Sequence, residues 1–130
     1  MDALRGAHCA VVPDGIVIEM HPSPIPAQVQ AGGGMVGQIE SNKAIQIMRD
    51  TEDLTAEAVA DGLFRVDRQI EFDYVERFDS ADELIKQILS WDGYYPQLEL
   101  RRRIRNSSAP YDVRLRVTAT LLRPVLQRNE

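Results

Sequence analysis

Cysteine is almost missing from this chain: 130 residues carry one, Cys9, and a lone thiol cannot close an internal disulfide. Long apolar runs are missing too. No stretch approaches the about 18 consecutive apolar residues that a membrane-spanning helix needs. No basic-then-apolar leader opens the chain, so a cytoplasmic location without membrane contact is the expectation. Positive charge is in deficit: 15 Lys and Arg against 20 Asp and Glu leave a formal net charge of -5. A field of that sign opposes the phosphate backbone, which is bound by releasing counterions to a basic surface, and so argues against a nucleic-acid partner. Neither an internal repeat nor a low-complexity tract occurs beyond one proline-rich and one glycine-rich segment.

What is present is the composition of an ordinary folded protein. With 44% hydrophobic and 27% charged residues, the chain has enough apolar surface for one core and too little length for two, so residues 1–130 form a single domain. Residues 2–9 read as the tail of a helix, leading through Pro13-Asp14-Gly15 into Ile16-Val17-Ile18-Glu19-Met20. That β-branched run predicts a strand covered on both faces. His21-Pro22-Ser23-Pro24-Ile25-Pro26 follows as an extended connector, since each proline lacks a ladder donor. Gly32-Gly33-Gly34 between Val29–Ala31 and Met35–Ile39 predicts a hairpin flap. From Ser41 or Asn42, apolar residues at helical spacing reach Leu63, with Gly62 as a C-terminal cap and a break near Asp50-Thr51.

The clearest pattern is Phe64, Val66, Ile70, Phe72, Tyr74 and Phe78, alternating with polar residues at a period of two. It predicts a half-buried strand so long that it bends or bulges, with Arg68 and Glu76 as the positions that interrupt its apolar face. Ser80-Ala81-Asp82-Glu83 is a capping box opening a helix through Trp91. After Gly93-Tyr94-Tyr95-Pro96 comes a short helix from Gln97 to Asn106. Its Arg101, Arg102, Arg103 and Arg105 read as a solvated C-terminal end that complements the macrodipole. The last element, Tyr111 to Leu122, alternates again, with Val113, Leu115, Val117, Ala119 and Leu121 on one face and Arg114, Arg116, Thr118 and Thr120 outward. The sum is an α/β or α+β fold with a mixed, largely antiparallel sheet.

Leu4 to Ile18, a helix end followed by Pro13-Asp14-Gly15 and a buried strand, resembles a segment of class I S-adenosylmethionine-dependent methyltransferases. Asp14 replaces the usual first glycine there. Ala60 to Val66 is similar to that family's helix end and sixth strand, Phe78 to Leu84 to its next helix, and Val117 to Pro124 to its seventh strand. The resemblance spans most of the chain and implies a truncated, methyltransferase-like sheet in which Tyr111 to Leu122 lies antiparallel between Ile16–Met20 and Phe64–Phe78. The family's glycine-rich cofactor loop and the acid ending its second strand would both precede residue 1. No cofactor-binding residue is matched, and no cofactor is predicted.

Several residues are candidates for chemistry. Gly32 to Gly37 fits G-x-G-x-x-G, but the motif should follow a buried strand directly, so Gly33 and Gly34 read as a turn before they read as a phosphate loop. Glu19 and His21 fall on one side of a strand, at its carboxyl end, where they could act as base and orienter. No third ligand accompanies them in the sequence, so no metal site is predicted. Trp91, Tyr94 and Tyr95 suit a core, a pocket wall or an interface.

A half-sheet leaves an open edge and apolar surface, which proteins usually cover. The expectation is a non-enzymatic interaction or assembly protein, forming a homodimer or docking on a larger protein through the Ile16–Met20 side. The alternatives are a small-molecule-binding protein or minor enzyme, with a pocket between the His21 loop, the glycine flap and the Trp91–Tyr95 cluster, or one subunit of a two-chain methyltransferase.

Overall fold

The computed structural model describes residues 2–126. Its elements follow the order α1 (Asp2–Ala10), β1 (Val17–Pro22), β2 (Gln28–Ala31), β3 (Gly34–Gln38), α2 (Asn42–Ala60), β4 (Phe64–Phe78), α3 (Ala81–Ser90), α4 (Leu98–Arg105) and β5 (Tyr111–Pro124). The fold is α+β. Its axis is β5, which pairs antiparallel along its whole length with β4. The other side of β5 is shared: β1 takes the stretch from Val117 to Leu122 and β2 the stretch from Tyr111 to Arg114. The β2–β3 hairpin turns at Gly32 and Gly33, whose φ values of 58° and 80° are those a type I′ turn demands. This hairpin is not a free flap, because β2 is hydrogen-bonded into the sheet.

Directly opposed residues of an antiparallel pair share a face, so the register assigns every side chain. Tyr111, Val113, Leu115, Val117, Ala119 and Leu121 define an apolar face. Asp112, Arg114, Arg116, Thr118, Thr120 and Leu122 define a polar one. The helices cover opposite ends of opposite faces. On the apolar face, α3 and α4 pack over the N-terminal half of β5, where Leu84, Ile85, Ile88, Leu100 and Ile104 join Val29, Ile39, Tyr111 and Val113 in the larger core. On the polar face, α1 and α2 close over the far end of β5, where Ala58, Leu63, Phe64 and Leu122 form a second core against Leu4, Ala7 and Val17.

Local chemistry accounts for the helix boundaries. Ser80 Oγ accepts the Glu83 amide at 3.1 Å, which is the serine half of the capping box. At the end of α2 the amides of Gly62 and Leu63 return to the carbonyls of Val59 and Ala58, a Schellman closure in which Leu63 and Ala58 meet in the second core. The expected break at Asp50-Thr51 is absent. Gln46 donates to Asp50 Oδ1 at 2.9 Å and the Thr51 hydroxyl to the Ile47 carbonyl at 3.0 Å, both within the turn, so α2 runs on.

Three further expectations change. First, β1 is not covered on both faces: it is an edge beside β5, and Ile18 and Met20 stand 58% and 60% exposed on the apolar face. Second, β4 bulges as expected, between Val66 and Arg68, but it is not half-buried, being exposed from Arg65 to Val75. The spare residue, Asp67, inverts the alternation, so Phe64 and Val66 share the polar face while Ile70, Phe72, Tyr74 and Phe78 lie on the apolar one. Third, the polar face of β5 is not outward throughout, because Thr118 and Thr120 are buried beside β1 and α2.

Candidate functional site

The polar face carries a cluster that the sequence half-revealed. β1 presents Glu19 and His21 to this side, since they stand opposite Thr120 and Thr118. His21 is buried and its Nδ1 lies 2.8 and 2.9 Å from the two carboxylate oxygens of Glu19. Its Nε2 meets Glu52 Oε1, from α2, at 3.2 Å. Beside this contact lies a cavity of about 220 Å³ lined by Glu19, His21, Glu52, Val59, Gln69 and Thr120, among others. Gln69 Nε2 donates to Thr120 Oγ1 at 3.0 Å across the floor.

Further along the same face the chain supplies its own counter-ions. Arg116 meets Glu71 at 3.1 Å, Arg114 meets Asp73 at 3.5 Å and Arg77 meets Asp112 at 3.0 Å. The Arg77 guanidinium holds the Asp112 carboxyl below its ordinary range, mainly through their hydrogen bond. These pairs are exposed cross-strand contacts and contribute little each.

Glu52 is the residue the sequence reading overlooked. A signal existed: Glu52, Thr55, Ala56 and Val59 fall at i, i+3, i+4 and i+7, the stripe of a helix that faces its sheet, and all four line the cavity. A carboxylate within that stripe marks a polar contact below it. Among the described residues no group of three His, Cys, Asp or Glu side chains is placed to ligate one ion together, because Glu19 is occupied on the far nitrogen of His21.

The remaining candidates are not brought to His21. Gly32 and Gly33 sit at the hairpin tip, beyond the Ala31–Tyr111 pair, whereas His21 pairs with Thr118. Seven residues of strand separate those two rungs, about 23 Å at a rise of about 3.3 Å per residue. Gly34 opens β3 in ordinary strand pairing with Ala31. Trp91 and Tyr94 pack edge-to-face at 5.8 Å against the larger core, and burial pushes the Tyr94 phenol up from its usual value. Tyr95 bridges to Glu40 through its backbone and lies under the Arg101 guanidinium, 5.3 Å from the ring centre. The expected pocket joining His21, the hairpin and the aromatic cluster is therefore replaced by one between β1, α2 and β4. The arginine run of α4 is occupied locally, by Glu99, Asp82 and the Pro96 carbonyl.

The apolar face offers a second candidate surface. Beyond the reach of α3 and α4 it bears Ile18, Met20, Ile70, Phe72 and Tyr74, between 39% and 60% exposed, around the half-exposed Leu115, Val117 and Leu121. Arg65, Arg68, Glu76 and Arg123 border it on the same face, as the register requires. Every residue of β4 from Arg65 to Val75 is exposed.

These two surfaces, on a five-stranded sheet with helices at opposite corners, are what the structure offers for function. No family model, curated protein or solved structure matches this chain.

Proposed function

We propose that this protein is a non-enzymatic assembly component that acts as a homodimer, with the bare halves of two apolar sheet faces stacked on one another. The observation that carries this reading is an inversion of burial along β5. Its threonines, Thr118 and Thr120, are buried on the polar face, while on the opposite face the apolar residues of the flanking strands, Ile18, Met20, Ile70, Phe72 and Tyr74, are exposed. Ile18, Met20, Ile70, Phe72 and Tyr74 together expose on the order of 500 Å², taking about 200 Å² for each whole side chain. That is most of the about 800 Å² per partner of a standard interface, and at the upper limit of patches tolerated on monomers. Charged residues ring an apolar centre, the usual anatomy of such a contact.

Sheets stack face to face about 10 Å apart, and α3 and α4 already cover the other half of the same face. A partner sheet would continue that layer, with each copy's helices flanking the other's bare half. Pairing through the free β4 edge instead would leave both apolar faces in water, and the Asp67 bulge and the charges along β4 blunt that edge. The strand order, with β5 antiparallel between β1 and β4, supports descent from a methyltransferase-like half-sheet whose exposed side found a new cover.

Sedimentation velocity at micromolar concentration tests the reading. The unaltered chain is expected to sediment as a dimer and Phe72→Glu as a folded monomer by circular dichroism. A wild-type monomer, or a dimer indifferent to Phe72→Glu and Ile18→Glu, overturns it, and a stable complex only with a different protein would transfer the surface to that partner.

A further inference from the structure

Both ring nitrogens of His21 meet carboxylate oxygens, Nδ1 those of Glu19 at 2.8 and 2.9 Å and Nε2 that of Glu52 at 3.2 Å. An ionised carboxylate only accepts, so both contacts are hydrogen bonds only while the imidazole carries both of its N–H groups. Loss of either proton turns one contact into two acceptors facing each other. We propose that His21 is a proton-operated latch: as the imidazolium it ties α2 to β1, and on losing the Nε2 proton it releases Glu52.

The asymmetry of the two contacts decides which proton leaves. Glu19 makes the shorter contacts and its side chain is 16% exposed, against 44% for Glu52. Stranding Glu19 would leave a largely buried carboxylate without its donor, whereas Glu52 can turn to water at little cost. No other cation takes the place of the imidazolium. Opposite His21 and Glu19, β5 offers only the hydroxyls of Thr118 and Thr120, β4 offers the Gln69 amide, and no lysine or arginine lines the cavity. In the adjoining cavity, of about 350 Å³, the further charges are Glu71 and Arg116, paired with one another at 3.1 Å. Glu52 and Gln69 line both cavities, so the latched carboxylate stands in the wall between them and its release opens one into the other.

Long-range ¹⁵N–¹H correlation spectra of the isotope-labelled full chain read the protonation of each ring nitrogen directly. From about pH 5 to about pH 9, where glutamates are ionised, His21 is expected to pass from two N–H groups to one, kept on Nδ1. The ¹³C shift of the Glu52 carboxylate and the amide shifts from Thr51 to Thr55 should follow the same curve. Amide exchange over that turn, corrected for its intrinsic dependence on pH, should rise about two- to fivefold on the alkaline side, the reach of one partly exposed ion pair. In Glu52→Gln, whose amide can donate or accept, these responses of α2 should vanish while the His8 signals stay unchanged. Glu52 is half-exposed on a helix, so that variant stays folded. An alkaline form with its proton on Nε2, an imidazole that keeps one protonation state across the range, Glu52 signals that ignore the imidazole, or a response of α2 that survives Glu52→Gln overturns the latch.

Discussion

Gly93 shows how far one side chain's worth of space decides the junction between α3 and α2. Its φ is 86°, and an added Cβ would stand 2.7 Å from the Ala44 amide nitrogen and 2.8 Å from the Ala44 Cα. The same glycine's carbonyl accepts that amide at 3.1 Å, so neither backbone can retreat without losing a helix-start hydrogen bond. Gly93→Ala is therefore expected to cost at least about 3 kcal/mol, the left-handed penalty plus that of overpacking, read as a shift in the urea midpoint. Ser80→Ala, which removes only a cap acceptor, should cost about 1 kcal/mol in the same assay. Tyr94 adds a pH-dependent term. Burial raises its phenol above 10.0 in the folded chain, while the unfolded phenol ionises near about 10. Its contribution is complete below the unfolded value and is lost as pH rises through the folded one. Wild-type stability should fall more steeply above about pH 10 than that of Tyr94→Phe, with a constant difference between the two below it.

At the scale of elements, β4 is the informative case, because its parity is constant and its geometry is not. Phe64, Val66, Ile70, Phe72 and Tyr74 all occupy even positions, and alternation assigns them to one side. A bulge consumes one residue without altering the spelling of the pattern, so the switch of faces at Asp67 is invisible to periodicity. Arg68 on the nominal apolar side was the legible trace of it. The structure makes a prediction here: deleting Asp67 joins the Val66–Leu122 rung to the Arg68–Leu121 rung and keeps every other side chain on its face. The deletion should cost only the contacts Asp67 makes with Arg65 and Arg123 and preserve the cooperative transition. Deleting Val117 from β5, which has ladder partners on both sides and no spare residue opposite, shifts two pairings at once and should abolish that transition, as chemical denaturation would report. The same contrast explains what else was legible. Capping at Ser80, the hairpin glycines and the arginine-rich helix end are local signals and hold. Which helix covers which half of which face depends on pairings from Glu19 to Thr120 and from His21 to Thr118, a hundred residues apart, which no local pattern encodes. Glu52 was missed for that reason.

The whole molecule has two opposed surfaces, one apolar and one polar, separated by a single layer of strands. β4 is exposed from Arg65 to Val75, so on the uncovered apolar half-face the isolated chain gains little burial from it. If a second copy provides the cover, folding and association share one equilibrium, and stability depends on protein concentration. The dependence can be sized. Two chains of 130 residues at about 0.7 kcal/mol per residue give an unfolding enthalpy on the order of 180 kcal/mol per dimer. Each tenfold rise in concentration should then raise the Tm by about 3 °C, measured by scanning calorimetry over a hundredfold range. Phe72→Glu should remove that slope and unfold at the same temperature at every concentration. Glu52→Gln, on the opposite face, should keep the slope unchanged. A variant set that separates in this way distinguishes the two surfaces as independent parts of the protein, whereas a slope lost in both would tie the His21 cluster to assembly through β1, which carries Glu19 and His21 on one face and Ile18 and Met20 on the other.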